Sequence, residues 1–186
     1  MKRTILAAAA LLVCLSGCAS SDAQMEEALA LRGKLLSSGC SFRCEITADY
    51  IDTVEVFTLD CVASTDGTVD FTVAEPESIS GITGKVSGEE GALTFDDVVL
   101  AFPLMADDTL SPVSGPWLLI NTLKSGYITA CTREGEGLHL TIDDSYADDA
   151  LTLEIWTDGS GNPISGEIGW QGRRVVSMEV EGFSYL

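Results

Sequence analysis

Apolar residues recur along this chain with two different periods, and the change from one to the other organises it. From Asp22 to Ser37, Met25, Ala28, Leu29, Leu35 and Leu36 fall three and four residues apart, which predicts an amphipathic helix. Asp22 is placed to cap its start and Gly39 lies just past its end. Beyond Gly39 the period becomes two. Phe42, Cys44, Ile46 and Ala48 alternate with Arg43, Glu45 and Thr47, the run Val54 to Ala63 follows, and Val69, Phe71 and Val73 alternate with Thr68, Asp70 and Thr72 after an Asp66-Gly67 turn. Ile79 to Val86, Ala92 to Phe95 and Val98 to Phe102 continue this antiparallel meander. It is interrupted once: Ser114 and Pro116 signal a helix start, Gly126 a helix end, and the segment Trp117 to Leu123 is apolar around most of its circumference, as a buried helix would be. Strands then resume at Tyr127 to Arg133, Leu138 to Ile142, Leu151 to Thr157, Ile164 to Trp170 and Val175 to Phe183. The pattern predicts a mainly β chain of α+β class, in which about eleven antiparallel strands form one large curved sheet with two helices against its inner face.

The first residues belong to a different kind of element. Lys2 and Arg3 precede a short apolar run, Ile5 to Leu15, and then small residues, the three parts of a secretory signal. The run is too short to span a bilayer, which takes about 20 residues. Leu15-Ser16-Gly17-Cys18 is a lipobox, with small residues before a cysteine that receives a diacylglycerol on its thiol. The expected organisation is a signal peptide over 1–17, a lipidated Cys18 with a tether over 18–24, and a single domain over 25–186. Two or more acyl chains on Cys18 suffice for stable anchoring, so the domain is expected outside the cytoplasm, on a membrane.

Charge sharpens that setting. Removal of residues 1–17 leaves eight basic and all 29 acidic residues, a net charge of −21. Such a surface repels nucleic acid and favours a protein partner with a basic surface. With 46% hydrophobic residues the chain has enough apolar side chains for a sizeable core.

Four cysteines follow Cys18, namely Cys40, Cys44, Cys61 and Cys131, and an even set outside the cytoplasm favours disulfides. Cys40 and Cys44 on one strand are roughly 13 Å apart, beyond bridging distance. Two pairings remain: a hairpin turning near Asp52 would set Cys44 opposite Cys61 and leave Cys40 for Cys131, which favours that pairing over Cys40 with Cys61 and Cys44 with Cys131. The spacings match no zinc finger, so no metal is expected at these thiols.

Catalytic signatures are missing from the sequence. There is no Gly-x-Ser-x-Gly elbow, His-Glu-x-x-His helix or phosphate-binding glycine loop. His139 is the sole histidine and alternates with Leu138 and Leu140, so it is expected on the outer face of a strand. The pairs Asp96-Asp97, Asp107-Asp108, Asp143-Asp144 and Asp148-Asp149 read as turn residues, with calcium as the lesser alternative. Asp158-Gly-Ser-Gly-Asn162 begins like a calcium loop but lacks the distal glutamate, and reads as a hairpin turn. Trp117 reads as core, and Trp156 as an outward residue covering a neighbouring strand or marking a partner surface. No enzymatic activity and no cofactor are expected.

The order of these elements resembles the LolA/LolB/LppX-like lipoprotein superfamily. The resemblance lies in Phe71-Thr-Val-Ala-Glu-Pro76 with Ile79-Ser-Gly-Ile82, in Ser111-Pro112, in Leu119 to Leu123 with Gly126-Tyr127, and in Val175 to Phe183. It implies a half-open β-barrel wrapped around helices, with an apolar cavity for a lipid or a lipoprotein acyl chain, lined here by Phe71, Val73, Trp117, Ile120 and Leu123. The implied function is that of a membrane-anchored carrier or receptor. The alternative it implies, as in similar germination lipoproteins of Firmicutes, is a non-enzymatic module that holds an envelope or cell-wall enzyme.

Overall fold

The computed structural model describes residues 22–50, 53–88, 90–95, 98–106 and 109–186. The signal peptide, the lipobox with Cys18 and the pairs Asp96-Asp97 and Asp107-Asp108 lie outside them. The chain opens with helix α1 (22–37), so residues 22–24, shared in the expected scheme between tether and helix, are helical. A meander follows: β1 (Cys40–Asp49), β2 (Val54–Ala63), β3 (Val69–Glu75), a single 3-10 turn (Glu77–Ile79), β4 (Thr83–Ser87), β5 (Glu90–Phe95) and β6 (Val98–Pro103). Two short strands, β7 (Met105–Ala106) and β8 (Thr109–Leu110), pair with each other and lead through a second 3-10 turn into α2 (Gly115–Ser125). The second meander comprises β9 (Tyr127–Glu134), β10 (Gly137–Asp143), β11 (Thr152–Thr157), β12 (Pro163–Trp170) and β13 (Arg173–Tyr185). The stretch from Ile79, expected to be extended throughout, has Ile79 in the 3-10 turn that Pro76 leads into and joins the sheet only from Thr83.

Eleven strands form one antiparallel sheet in the order β6-β5-β4-β3-β2-β1-β13-β12-β11-β10-β9. The two meanders therefore meet at one seam, where β13 lies against β1 with Cys44 opposite Val180 and Ile46 opposite Met178. The sheet does not close, and β6 and β9 are its edges. It does curl: α2 touches β2 on one side of the seam and β10 and β11 on the other. Strands that far apart in a flat sheet would be roughly 20 Å from each other, more than one short helix can bridge with its side chains.

Alternation along the strands sorts residues between the two faces. Cys40, Phe42, Cys44, Ile46 and Ala48 of β1, Leu59 and Cys61 of β2, Leu138, Leu140 and Ile142 of β10, and Val176 and Met178 of β13 are buried on the concave side. Helix α2 fills that concavity: Trp117, Leu118, Leu119, Ile120 and Leu123 are all buried, as an all-round apolar helix requires. Leu119 reaches the inner surface of the sheet over Gly166, which has no side chain to obstruct it.

Helix α1 packs through Ala28, Leu31 and Leu35. Two residues of the expected apolar face, Leu29 and Leu36, are instead half exposed, and Leu31 takes their place. Arg32 sets this rotation. Its Nε donates to the Leu123 carbonyl at 2.8 Å and its Nη2 to the Gly126 carbonyl at 2.7 Å. Those carbonyls are at the C-terminal end of α2, where a cation is favoured. An Arg133–Glu27 ion pair ties the start of α1 to edge strand β9.

Candidate functional site

In an antiparallel sheet, residues directly opposite one another share a face, so registers extend the concave surface outward from the core. Phe71 is opposite Gly84, Gly84 opposite Leu93, and Leu93 opposite Leu100. The parallel row runs from Val69 through Val86 and Gly91 to Phe102. Phe71 and Val86 are buried, but the rows then leave the cover of α1 and α2. Phe95, Val98 and Leu100, on the same concave face, are 59%, 67% and 63% exposed. The β5–β6 hairpin thus carries an apolar inner surface with nothing from the described chain above it.

Two aromatic rings lie across glycines in this region. The ring of Phe71 occupies the space where a side chain on Gly84 would stand, and that of Phe102 does the same at Gly91. Each ring covers backbone that glycine would otherwise leave bare.

Where β6 ends, at Pro103, there is a cleft of about 480 Å³. Leu104, Met105, Leu110, Trp117, Leu118 and Leu151 line it, with Asn121, Asp144 and Ser145 at polar positions. That size and that mixture of apolar walls with a few polar groups suit a small-molecule site. Trp117 is held there from behind: its Nε1–H donates to the Gly67 carbonyl at 2.8 Å. Two helical turns on, Lys124 is buried and donates from Nζ to the Ser64 carbonyl at 2.8 Å. Both ends of the β2–β3 turn are therefore clamped to α2.

The five residues implied as cavity lining have different fates. Phe71, Val73, Trp117, Ile120 and Leu123 all belong to one continuous packed core, and Trp117 alone among them also borders the cleft. Sequence patterning did not single out Leu93, Leu100, Leu104 or Leu151, whose importance depends on where α2 stops covering the sheet. Leu93 and Leu100 fell within runs read as strands. The pattern carried no sign that they would be uncovered.

The cysteines require a correction. All four are free thiols in the structure, and neither the Cys44–Cys61 nor the Cys40–Cys131 bridge is formed. The β1–β2 hairpin closes through Tyr50, whose N–H donates to the Thr53 carbonyl at 2.9 Å. This register places Cys44 opposite Leu59 and Cys61 opposite Phe42. The turn is centred one residue position earlier along the β2 side than expected, and in a hairpin such a change displaces partners by two. Burial pushes the Cys40 thiol up to about 11 and the Cys44 thiol up to about 12, and it raises Cys61 well above its ordinary value. These are packing residues with little thiolate character.

On the convex face His139 is outside, as alternation with Leu138 and Leu140 predicts. Its Nε2 is 2.6 Å from Glu154 Oε2, and its ring stacks on Trp156 with centroids 4.5 Å apart. Trp156 donates from Nε1 to Glu134 at 3.1 Å, and Thr141 donates to Glu154 at 3.0 Å. Each polar group has a partner within the cluster, which pins β9, β10 and β11 side by side. The Asp158 loop is likewise internally satisfied. Asp158 Oδ1 accepts from the N–H groups of Ser160 and Asn162, both at 2.8 Å, and Oδ2 accepts from the Asn162 amide at 3.1 Å. It is an Asx-type hairpin turn whose oxygens point back into the loop.

No protein-family model matches the sequence, and no curated protein does. Solved structures do. A LolA superfamily protein from Nitrosomonas europaea is similar over 84% of this chain and 92% of its own, with 9% identity and a TM-score of 0.45. A DUF1329 family protein from Desulfovibrio piger is similar over 89% of this chain and 93% of its own, with 7% identity and a TM-score of 0.49. The lipoprotein LppX of Mycobacterium tuberculosis is similar over 87% and 93%, with 12% identity and a TM-score of 0.39. An open eleven-stranded antiparallel sheet curled around a buried helix is the architecture that the sequence resemblance implied.

Proposed function

We propose that the chain holds a lipid or lipoprotein acyl chain on the uncovered inner surface of β5–β6 and in the cleft beside α2, and is kept at a membrane by a lipidated Cys18. One observation carries this reading: the concave row of apolar residues passes beyond the packed core to Leu93, Phe95, Val98, Leu100 and Phe102, with Phe95, Val98 and Leu100 largely exposed, and a cleft bordered by Leu104, Leu110 and Trp117 follows where β6 ends. Exposed apolar surface of this kind is seldom without a ligand or partner. The packed interior argues for a ligand lying along the sheet rather than one enclosed at its centre. The lipobox supports the setting, since an anchor at Cys18 would keep the domain where acyl chains are found.

Native mass spectrometry of the chain from Ala19 onward, purified without detergent and then offered a long-chain fatty acid, tests the proposal. The expected result is near one-to-one binding that Val98→Asp with Leu100→Asp abolishes without loss of thermal stability, because both side chains are already exposed. A chain that stays free of lipid under these conditions overturns it.

A further inference from the structure

Strand β6 is an edge of the sheet, and among the described residues no strand lies beside its outer row of backbone N–H and C=O groups. Natural edges are usually protected by charged side chains, prolines or bulges. Here the residues from Val98 to Leu104 are uncharged, and the one proline, Pro103, comes at the strand's end. Val99, 65% exposed, and the exposed Ala101 point to the convex side, opposite the concave residues assigned to lipid. The edge is thus open along its backbone and apolar on both faces.

In sequence the strand lies between acidic pairs. Asp96-Asp97 directly precede the strand in sequence, Asp107-Asp108 follow shortly after it, and exposed Glu90 sits opposite Pro103. We infer that β6 docks an extended segment of a protein partner, about six residues long, with β-branched or apolar side chains at alternate positions and lysine or arginine at both ends. Backbone pairing supplies the fit, and the flanking charges supply the selectivity. A second copy of this chain is a poor occupant, since antiparallel pairing of two β6 strands would bring acidic ends against acidic ends. A bilayer is a poor one too, because an unpaired strand edge does not enter hydrocarbon.

The probe is the capped peptide Lys-Lys-Val-Thr-Val-Thr-Val-Lys-Lys, added to 15N-labelled protein and followed by amide chemical shifts. Its controls are a version with glutamates for lysines and a version N-methylated at alternate residues. The expected result is saturable shifts centred on residues 98–102, binding that weakens as salt rises, and no binding of either control. Val99→Lys with Ala101→Lys, both on exposed positions, should weaken the lysine peptide roughly tenfold through like charge, while fatty-acid binding on the opposite face persists. Equal binding of the glutamate or N-methylated peptide overturns the proposal, as does absence of shifts in β6. It is also overturned if Val99→Lys with Ala101→Lys abolishes a dimer of the free chain or its retention on phosphatidylcholine vesicles.

Discussion

Substitution of Gly84 by alanine tests how the floor of the concave surface is built. The added Cβ would stand 2.2, 2.7 and 2.8 Å from three ring carbons of Phe71, where ordinary contact begins at 3.4 Å. Phe71 is 3% exposed, so its ring must retreat by roughly 1 Å into a packed core, at a cost of about 3 kcal/mol, the upper end of the usual range for overpacking. Phe71→Leu removes the clashing ring atoms and on its own should cost about 2 kcal/mol in lost burial. Together the two changes should not cost about 5 kcal/mol: the alanine methyl then occupies space the ring has left, and the double variant should be destabilised by about 3 kcal/mol, a coupling of about 2 kcal/mol. Urea unfolding of the four proteins, with an unchanged denaturant slope, measures this directly. If the double variant is as unstable as the sum of the singles, the ring of Phe71 does not rest on Gly84 and the floor described above is wrong.

Arg32→Met should lower stability by about 2 kcal/mol, since two carbonyls at the end of α2 lose a charged donor, and hydrogen exchange should show the loss concentrated in α1; uniform loss of protection would argue against a docking role. In Asp158, burial raises the carboxyl pKa, but hydrogen bonds from Asn162, Ser160 and Gly161 outweigh it and hold the group below its ordinary value. Its contribution to stability is therefore present above the ordinary carboxylate range and is lost as pH falls through the lowered value, so the Ser160 and Asn162 amide resonances should shift together in acid, and Asp158→Ala should remove that transition. Under native conditions near pH 8, a thiol reagent should modify the half-buried Cys131 fastest and Cys40, Cys44 and Cys61 only on unfolding; a mass lower by the hydrogens of one or two disulfides would refute the free-thiol arrangement.

Most of the strands were legible because they have one dry and one wet face, and α2 because it is apolar all round between a proline and a glycine. The rotation of α1 was not. Leu29, Leu31, Leu35 and Leu36 offer more than one apolar stripe, and the choice among them rests on Arg32 finding carbonyls far away in sequence. The β1–β2 register was lost to a small displacement of its turn, which local chemistry around Asp52 leaves underdetermined, and with it went the disulfide assignment. Of the candidate site, Trp117 was named in advance. Leu93 and Leu100 read like any other strand residues, because whether a face is covered depends on where a distant helix ends.

The seam between β1 and β13 bears on how the chain is assembled. Each meander is built from neighbours in sequence, so its hairpins close short loops and can form early. The seam joins Cys40 to Tyr185, nearly the whole domain apart, and it forms only after that long loop has been closed. Until the last strand arrives, β1 is a second bare edge on a half-sheet that already has one at β6. A nascent chain of this protein therefore carries two sticky borders, and loss of β13 would leave the first meander permanently in that state.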